Sequence, residues 1–391
     1  MNAPIPLEEL LRATAVTRKT SVGLPASRGM LDHRFPLTPE GAGMLVERGF
    51  RVLMEHGAAE HIHYADDAYA RFGVELTERT EALGADIVVY LPALDTADAR
   101  HLKRGGLLLT FLHDDIDDIQ VLGLLLKRHI IALGLEMLTD EAGRLPFADI
   151  LNEIAGRAAM VKAASLLADA VNGKGILLGG VAGVVPCEVV IVGADMAAVA
   201  AAQTAIGLGA TVRLFDNNVY RLRDAQRVLG AAVQGSTLHP RVFENALRSA
   251  DIVIATDAAP TPTVDAGMAK LMKRGVICFD LTDNTGVAFP SLQVIDLDLA
   301  SPSDNFGNIP TQLCYINAGN SVPRTVAMAL SNTFVTTLDD ILVCDGVTNA
   351  LKLNAGLRAA AFTFLGRCVN RRVARLLGIR AVDINLFLQF S

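Results

Sequence analysis

The sequence predicts an α/β protein built from two Rossmann-like, doubly wound domains with a cleft between them. Three observations carry this prediction. Short apolar runs alternate with helical patterns between residues 20 and 135, and the same alternation returns between residues 189 and 280. Such alternation is typical of mostly parallel sheets covered by helices. After residue 323 the pattern is helical, and these helices are expected to complete the first domain.

The first domain opens with a strand at 20–24 and a well-marked helix start. Thr38 is suited to cap the helix, Pro39 to be its first residue and Glu40 to interact with its positive end. Gly49 is expected to end this helix. Further strands are expected at 50–54, 86–90, 107–112 and 129–135, and helices at 67–72 and 116–127.

The second domain is predicted from a strand–turn–helix–strand unit. The β-branched run 189–192 is typical of a buried parallel strand, and Gly193 begins a tight turn. The Ala-rich stretch 196–208 favours a helix, and the next strand, 211–215, is followed by Asp216. This is the layout of a dinucleotide-binding βαβ unit, in which the acidic residue binds a ribose hydroxyl. Flanking elements are a helix at 147–170 and strands at 251–256 and 275–280.

The glycine fingerprint of this unit is incomplete. At its three defining positions the chain has Gly193, Asp195 and Ala198. Gly193 and Ala198 fit, whereas Asp195 places a carboxylate where a second glycine would let the backbone approach a pyrophosphate. NAD is the predicted cofactor, bound around these residues and Asp216, whose charge disfavours the 2′-phosphate of NADP. The alternative is a domain that has kept this fold and lost the cofactor.

The C-terminal part is helical in pattern at 325–342, 346–353 and 355–377. We expect these helices to pack back on the first domain. The predicted domains are therefore a discontinuous substrate domain, residues 1–145 with 324–391, and an NAD-binding domain, residues 146–323.

Composition narrows the classes of function. The formal net charge is −7 and Lys and Arg form no long block, which argues against a nucleic-acid partner. Five scattered cysteines without metal-ligand spacing predict reduced thiols, a cytoplasmic location and no metal site. The most apolar window, 175–212, contains Pro186, Glu188 and Asp195, so we expect no membrane span. A hydrophobic content of 51% suits a large core and a buried subunit interface.

Three polar residues stand where substrate chemistry is expected. Arg34 precedes the helix start, and a guanidinium can bind a carboxylate through two parallel hydrogen bonds. His113 follows the strand at 107–112 and can transfer protons near neutral pH. Asp283 follows the strand at 275–280 and can position a water or a substrate nitrogen. The structural alternatives are a surface Arg, a partly exposed His at a strand end and a turn-forming Asp.

Five motifs in order resemble the alanine dehydrogenase and pyridine nucleotide transhydrogenase family. They are RFPLTPEG at 34–41, TFLH at 110–113, NEIAGR at 152–157, the glycine-rich segment 174–186, and SVPRT at 321–325 with Asn317 just before it. Each motif is modest alone, but five in the family's order are specific. The resemblance covers roughly residues 20–342, most of the chain.

The resemblance implies an NAD-dependent oxidoreductase that interconverts a small amino acid and its 2-keto acid, with L-alanine and pyruvate as the default pair. Arg34 and Asn317 would bind this small-molecule substrate, and His113 would act in acid–base catalysis. Asp283 would assist at the amine, and Asp216 would bind the adenosine ribose. The histidine favours the dehydrogenase branch. Relatives form dimers and hexamers, so a homo-oligomer is expected.

One departure from the family concerns its catalytic lysine. In the stretch VVYLP at 88–92, Tyr90 stands where the family has a Lys two residues before a Pro. Tyr90 can donate a hydrogen bond in catalysis but carries no positive charge at neutral pH. This change motivates an alternative reaction, the opine-type reductive condensation of a keto acid with an amine. The Tyr90 and Asp195 departures together motivate a further alternative, which is a non-catalytic ligand-binding protein on a dehydrogenase scaffold.

Overall fold

The computed structural model describes residues 19–28, 34–112, 118–298, 312–344, 346–376 and 378–388. The chain divides into two compact units. Unit 1 comprises residues 1–26, 36–134 and 334–391, and unit 2 comprises residues 27–35 and 135–333. Each unit contains one twisted sheet covered by helices, so the predicted α/β class with two Rossmann-like sheets is confirmed.

The sheet of unit 1 has eight strands among the described residues. They are β1 (Ser21–Leu24), β2 (Arg51–Glu55), β3 (Glu75–Thr77), β4 (Ile87–Val89), β5 (Leu107–Thr110), β6 (Ile131–Gly134), β14 (Ala361–Phe364) and β15 (Arg367–Cys368). Their spatial order is β15-β14-β6-β5-β4-β1-β2-β3. Strands β1 to β6 run parallel, and β14 pairs with β6 in the antiparallel direction.

The helices of unit 1 come from both ends of the chain. They are α1 (Pro39–Glu47), α2 (Asp66–Ala70), α3 (Arg79–Leu83), α4 (Thr96–Ala99), α5 (Asp118–Lys127), the C-terminal part of α11 (Pro323–Val343), α12 (Val347–Leu353), α13 (Ala355–Ala360), α14 (Arg371–Leu376) and α15 (Asn385–Leu388). The predicted cap of α1 is confirmed, since the Thr38 side chain accepts from the Gly41 N–H at 3.2 Å. Arg48, which ends α1, pairs with Asp339 of α11 at 2.9 Å.

The predicted helix at 355–377 is wrong. Ala355–Ala360 and Arg371–Leu376 are helical, but between them Ala361–Phe364 and Arg367–Cys368 form a hairpin at the edge of the sheet. Leu365 and Gly366 both have positive φ, 45° and 76°, which a continuous helix cannot contain. The run Ala-Phe-Thr-Phe suits a strand, and pairing with β6 gives its backbone groups partners. Tertiary pairing therefore overrides the helix propensity of the flanking Ala and Leu residues.

The sheet of unit 2 has seven strands among the described residues, all parallel. They are β7 (Glu188–Val192), β8 (Thr211–Phe215), β9 (Val233–Ser236), β10 (Ile252–Thr256), β11 (Ile277–Leu281), β12 (Gln293–Asp296) and β13 (Leu313–Ile316), in the order β12-β13-β11-β10-β7-β8-β9. The helices are α6 (Pro146–Ala168), α7 (Met196–Gly207), α8 (Val219–Leu229), α9 (Pro240–Ser249) and α10 (Ala266–Ala269).

Close packing of α6 on α7 explains the small residues in both helices. A Cβ on Gly156 of α6 would lie 2.2 Å from the Ala197 carbonyl oxygen of α7. Ala198, Ala201 and Ala205 of α7 are fully buried in the core that the two helices share with the sheet. The Ala-rich composition therefore allows α7 to lie close to both α6 and β7.

Each sheet has a central point at which its strand order reverses. In unit 1 the reversal lies between β1 and β4, and in unit 2 between β7 and β10. In open α/β sheets the ligand crevice opens at this switch point, beside the carboxyl ends of the strands. The residues that follow β1, β4, β7 and β10 are therefore the ones from which a site is built.

No helix in the part of the chain that the structure describes has the length and apolar character needed to cross a membrane.

Candidate functional site

The switch point of unit 2 begins with a turn that only glycine can form. Gly193 has a φ of +99°, and a Cβ added there would lie 2.0 Å from the Thr256 hydroxyl oxygen. Its N–H donates to the Phe215 carbonyl at 2.8 Å, which ties the turn to the neighbouring strand. The chain thus passes from β7 into the N-terminus of α7 with its backbone pressed against the end of β10.

Asp195 caps α7 and also bonds across the switch point. Its side chain accepts from the Ala198 N–H at 3.1 Å, which is the contact of a helix N-cap. Its second oxygen accepts from the Ala258 N–H at 3.0 Å, just past β10. The side chain is half-buried. One carboxylate therefore joins the two backbone segments that border the crevice.

Asp216, at the end of β8, is almost fully enclosed. It is 1% exposed and accepts from the Ala194 N–H at 3.0 Å and the Asn218 N–H at 2.7 Å. Arg221 of α8 binds the same carboxylate through two nitrogens, at 2.7 and 2.9 Å. The hydrogen bond to Asp216 raises the pKa of Arg221, and the Asp195 charge adds to the effect. A ribose hydroxyl at Asp216 would thus compete with Arg221.

Carboxylates gather along the rest of this edge. Asp257 follows β10 and accepts from the Asp283 N–H at 2.7 Å. Burial raises the pKa of Asp257 to about 6; the Asp283 N–H opposes the shift, and the charges of Asp283, Asp195 and Asp280 reinforce it. Asp283 itself is exposed. Asp280 is fully buried and is stabilised by the N–H groups of Thr282, Gly286 and Ala288.

Asn317 lies at the carboxyl end of β13 in the same unit. Its backbone is left-handed, with a φ of 60°, and its side-chain amide donates to Asp296 at 3.0 Å. The side chain is half-buried. Gly193, Asp195, Asp216, Asp283 and Asn317 thus share the carboxyl edge of one sheet, as expected for residues that follow parallel strands.

The switch point of unit 1 is built around Tyr90 and a buried arginine. Tyr90 follows β4 and is 3% exposed, and the Arg79 guanidinium lies 5.7 Å from the centre of its ring. Arg79 is 7% exposed and binds both oxygens of Asp98. It also donates to Glu55 at 2.8 Å and to the Ala26 carbonyl at 2.7 Å. Ala26 after β1, Glu55 at the end of β2 and Tyr90 after β4 are thereby held around a single guanidinium.

The charges in this cluster favour the ionised form of Arg79. Burial opposes that form, but hydrogen bonds to Asp98 and Tyr90 and the charge of Glu55 raise the pKa of Arg79 above its usual value. The Glu55 carboxylate also accepts from the Ala26 N–H at 2.7 Å. Tyr90 therefore lies beside the positively charged guanidinium of Arg79, which is paired with the carboxylates of Asp98 and Glu55.

Comparison with known proteins assigns both halves of the chain to one family. Residues 23–155 match the alanine dehydrogenase/PNT N-terminal domain, and residues 159–371 match the C-terminal domain. The chain belongs to the alanine dehydrogenase/PNT family.

Individual relatives agree with this family assignment. An alanine dehydrogenase of Bacillus subtilis (strain 168) is 30% identical over 94% of this chain and 97% of its own length. One of Staphylococcus saprophyticus is 28% identical over 93% and 98%. A solved L-alanine dehydrogenase structure superposes with a TM-score of 0.80 at 26% identity, over 92% of this chain and 99% of that chain. A transhydrogenase structure from Sinorhizobium meliloti shares the fold, with a TM-score of 0.72 at 18% identity, over 90% and 100%.

Arg34 and His113, which the family resemblance implicates in substrate chemistry, follow β1 and β5 in the sequence. Arg34 is half-buried in the segment 27–35, just before α1, and this segment belongs to unit 2. His113 lies outside the described residues. Their family roles in binding and acid–base catalysis stay predictions.

The backbone at the unit 2 switch point fits the pyrophosphate of a family dinucleotide. Gly193 leaves no side chain in the turn, and the twelve-residue helix α7 begins there with its positive end. However, the Ala198 N–H, which a phosphate would use, is bonded to Asp195. The fit therefore requires the Asp195 side chain to turn away.

Sequence reasoning missed the Arg79 cluster, which the family motifs do not contain. Arg79 and Asp98 lie in short charged stretches that resemble exposed helix surfaces. Glu55 carried a usable signal, since it is the first acidic residue after the apolar core of β2 and thus marks a carboxyl end. No local signal pairs Arg79 with Asp98, which is 19 residues away.

Proposed function

We propose that the protein is an NAD-dependent oxidoreductase that interconverts a small amino acid and its 2-keto acid, with L-alanine and pyruvate as the first pair to test. The observation that carries the proposal is the glycine turn at Gly193, which leads into the N-terminus of α7 at the switch point of unit 2. Membership of the alanine dehydrogenase/PNT family over both halves supports it.

In this proposal the N-terminus of α7 and the Gly193 turn bind the pyrophosphate, and Asp216 binds the adenosine ribose in exchange for Arg221. These residues would hold the dinucleotide, and its nicotinamide would supply the hydride chemistry. Ala198 would leave the approach to the helix open because its side chain is only a methyl group. Asp216 would keep its backbone partners and give up part of its ion pair.

The substrate would be handled by residues from several parts of the chain. Arg34 binds its carboxylate by a two-point contact, and His113 transfers the proton at the substrate heteroatom. Asp283, exposed at the end of β11, assists at the amine, and Asn317 contributes to substrate binding. Tyr90, which lies beside the Arg79 guanidinium, donates a hydrogen bond to the substrate.

A second function is favoured by one observation, the Asp195 carboxylate at the N-terminus of α7. If that carboxylate never leaves, the domain binds no dinucleotide and the protein is a ligand-binding member of the family without catalysis. The opine-type condensation differs from the main proposal in its co-substrate alone, so a series of primary amines with pyruvate tests it.

The first experiment is NADH binding to the purified full chain by calorimetry, with NADPH and ATP as controls, followed by turnover with pyruvate and ammonium. Micromolar NADH binding with turnover supports the proposal. His113→Ala is expected to abolish turnover, whereas the matched change at exposed His101, His101→Ala, leaves it unchanged. Absence of binding up to millimolar NADH favours the ligand-binding alternative, and an unchanged rate in His113→Ala contradicts its assigned role.

We further propose a cytoplasmic homo-oligomer, a dimer or a hexamer. All five cysteines are free thiols, which a reducing compartment favours. Light scattering on the eluting peak of a size-exclusion column measures the subunit number, and a monomer at micromolar concentration contradicts the oligomer.

A further inference from the structure

The Asp195 carboxylate occupies the position at which a ligand anion is expected. It accepts from the first turn of α7, at the Ala198 N–H, and from the Ala258 N–H beyond β10. Helix α7 follows β7, and β7 and β10 are the two strands between which the sheet order reverses. One side chain therefore satisfies donors on both sides of the switch-point crevice.

A phosphate group would use the same features. Helix N-termini bind anions because their first N–H groups have no partner within the helix and the helix dipole is positive there. The α7 helix has twelve residues, so its N-terminus carries this dipole in full. A carboxylate resembles a phosphate edge in charge and in the spacing of its oxygens, and here it has already taken the Ala198 donor.

We propose that Asp195 is an internal competitor of the dinucleotide pyrophosphate, so that its displacement sets the affinity of the site. This inference rests on the proposed function, since it presumes that a dinucleotide binds at Gly193. In the free protein the carboxylate closes the crevice, and on binding the side chain rotates out and the pyrophosphate takes its donors.

The surroundings of Asp195 explain why its displacement is unfavourable but feasible. The side chain is half-buried, so a rotation brings it to solvent without repacking the core. Asp195 lies in a region rich in carboxylates, since its charge and those of Asp280 and Asp283 all raise the pKa of Asp257. The nearby cation, Arg221, is already bound to Asp216. With Arg221 engaged by Asp216, the displaced carboxylate would remain close to the bound phosphates.

The test compares wild type with Asp195→Asn and Asp195→Gly by calorimetry on the full chain. Asp195→Asn retains an oxygen that can cap α7 and removes the charge, whereas Asp195→Gly removes the occupant altogether. We expect NADH to bind about tenfold more tightly to Asp195→Asn and about ten- to a hundredfold more tightly to Asp195→Gly. Asp265→Asn, which alters another N-cap carboxylate in unit 2, is the matched control and leaves NADH affinity unchanged.

Two further ligands show whether the gain in affinity arises at the phosphate position. Inorganic pyrophosphate is expected to gain affinity in the same ratio as NADH, because both need the anion position. Adenosine, which lacks phosphate, is expected to bind wild type and variants equally. Thermal unfolding of each variant shows that it is folded under the binding conditions.

The outcomes separate this inference from the proposed function. Tighter NADH and pyrophosphate binding in both variants, or binding that only the variants show, supports the competitor. Equal NADH affinities in wild type, Asp195→Asn and Asp195→Gly, or an equal gain for adenosine, overturn the competitor and leave the oxidoreductase proposal standing. Absence of NADH binding in all three folded proteins overturns the dinucleotide site itself.

Discussion

The two switch points of this protein handle charge in opposite ways. In unit 1 a guanidinium, Arg79, lies between the carboxylates of Asp98 and Glu55 and beside Tyr90, and the cluster is nearly shut off from solvent. In unit 2 the corresponding edge carries Asp195, Asp257, Asp280 and Asp283, and its nearby cation Arg221 is bound to Asp216. The same topology therefore supports carboxylates that share one buried guanidinium in one unit and carboxylates bound mainly by backbone N–H groups in the other.

The difference follows from what each edge offers a carboxylate. Buried charges need a partner of opposite sign or several hydrogen bonds, since desolvation costs several kcal/mol per ion. In unit 1 that partner is Arg79. In unit 2 the partners are backbone N–H groups, such as those of Ala198 and Ala258 at Asp195. N–H groups at a helix start can serve a phosphate equally well, whereas a guanidinium already bound by two carboxylates cannot.

The variant with the largest predicted effect on stability removes the cation of the unit 1 cluster. Arg79→Met leaves Asp98 and Glu55 without their cation, so we expect a loss of about 3–5 kcal/mol in the free energy of unfolding. Urea unfolding followed by circular dichroism measures it. Arg51→Met is the control, because the Arg51–Glu75 pair is 45% and 49% exposed and should contribute about 1 kcal/mol or less. Equal losses in the two variants would mean that burial adds nothing to the Arg79 cluster.

The next largest effect concerns the glycine turn of unit 2. Gly193→Ala places a Cβ 2.0 Å from the Thr256 hydroxyl at a φ of +99°, so we expect a loss of about 2–4 kcal/mol. Gly207→Ala, at the end of α7 with nothing within 4 Å of an added Cβ, should be neutral or stabilise by up to about 1 kcal/mol. Urea midpoints of the two variants give the comparison.

A double variant sharpens this prediction. Adding Thr256→Ala to Gly193→Ala removes the nearest contact, while Ala258 Cβ and the Ala259 nitrogen remain 3.2 Å away and the positive φ persists. We therefore expect partial recovery. Full recovery would assign the whole effect to the hydroxyl contact, and a wild-type midpoint for Gly193→Ala alone would show that the turn tolerates a side chain.

Local signals in the sequence predicted the alternation of strands and helices and several of their ends. The alternation of apolar runs, the Thr38 cap and the Gly193 turn are properties of a few consecutive residues, and the structure contains all three. The hairpin at 361–368 was missed because four strand residues between helix formers carry a weak local signal, and their pairing with β6 connects segments more than 200 residues apart.

The site was harder to predict because its contacts are distant in sequence. Asp195 could be placed at the fingerprint, and its repulsion of a pyrophosphate follows from its charge. Its bond to Ala258 spans 63 residues and is invisible locally. Arg79 likewise reaches Glu55, Asp98 and Ala26 across 19 to 53 residues. Charge and helix caps can thus be predicted from neighbours, whereas the partner of a buried charge depends on the tertiary fold.

The smallest predicted effect is a pH-dependent change in stability that arises from Asp257, one of the clustered carboxylates of unit 2. The pKa of Asp257 is raised from 3.8 to about 6, so ionising it is less favourable in the folded than in the unfolded protein. Stability from this group is complete below pH 4 and is lost as pH rises through 6. Asp257→Asn, which can still accept from the Asp283 N–H, should therefore match wild type near pH 4 and exceed it above pH 6.5. Desolvation of the carboxyl group raises its pKa, but solvent still reaches the Asp257 side chain, so we expect a gain of at most about 1 kcal/mol.

Urea midpoints at pH 4.5 and 7.5 measure this difference, and Asp224→Asn on exposed α8 controls for the loss of one negative charge. A gain in Asp257→Asn at pH 7.5 alone ties it to the carboxylates around Asp257. Equal gains at both pH values would mean that the side chain, rather than its charge, is unfavourable there. The contrast with unit 1 would then weaken, since it depends on unit 2 holding carboxylates that repel one another until one of them binds a proton.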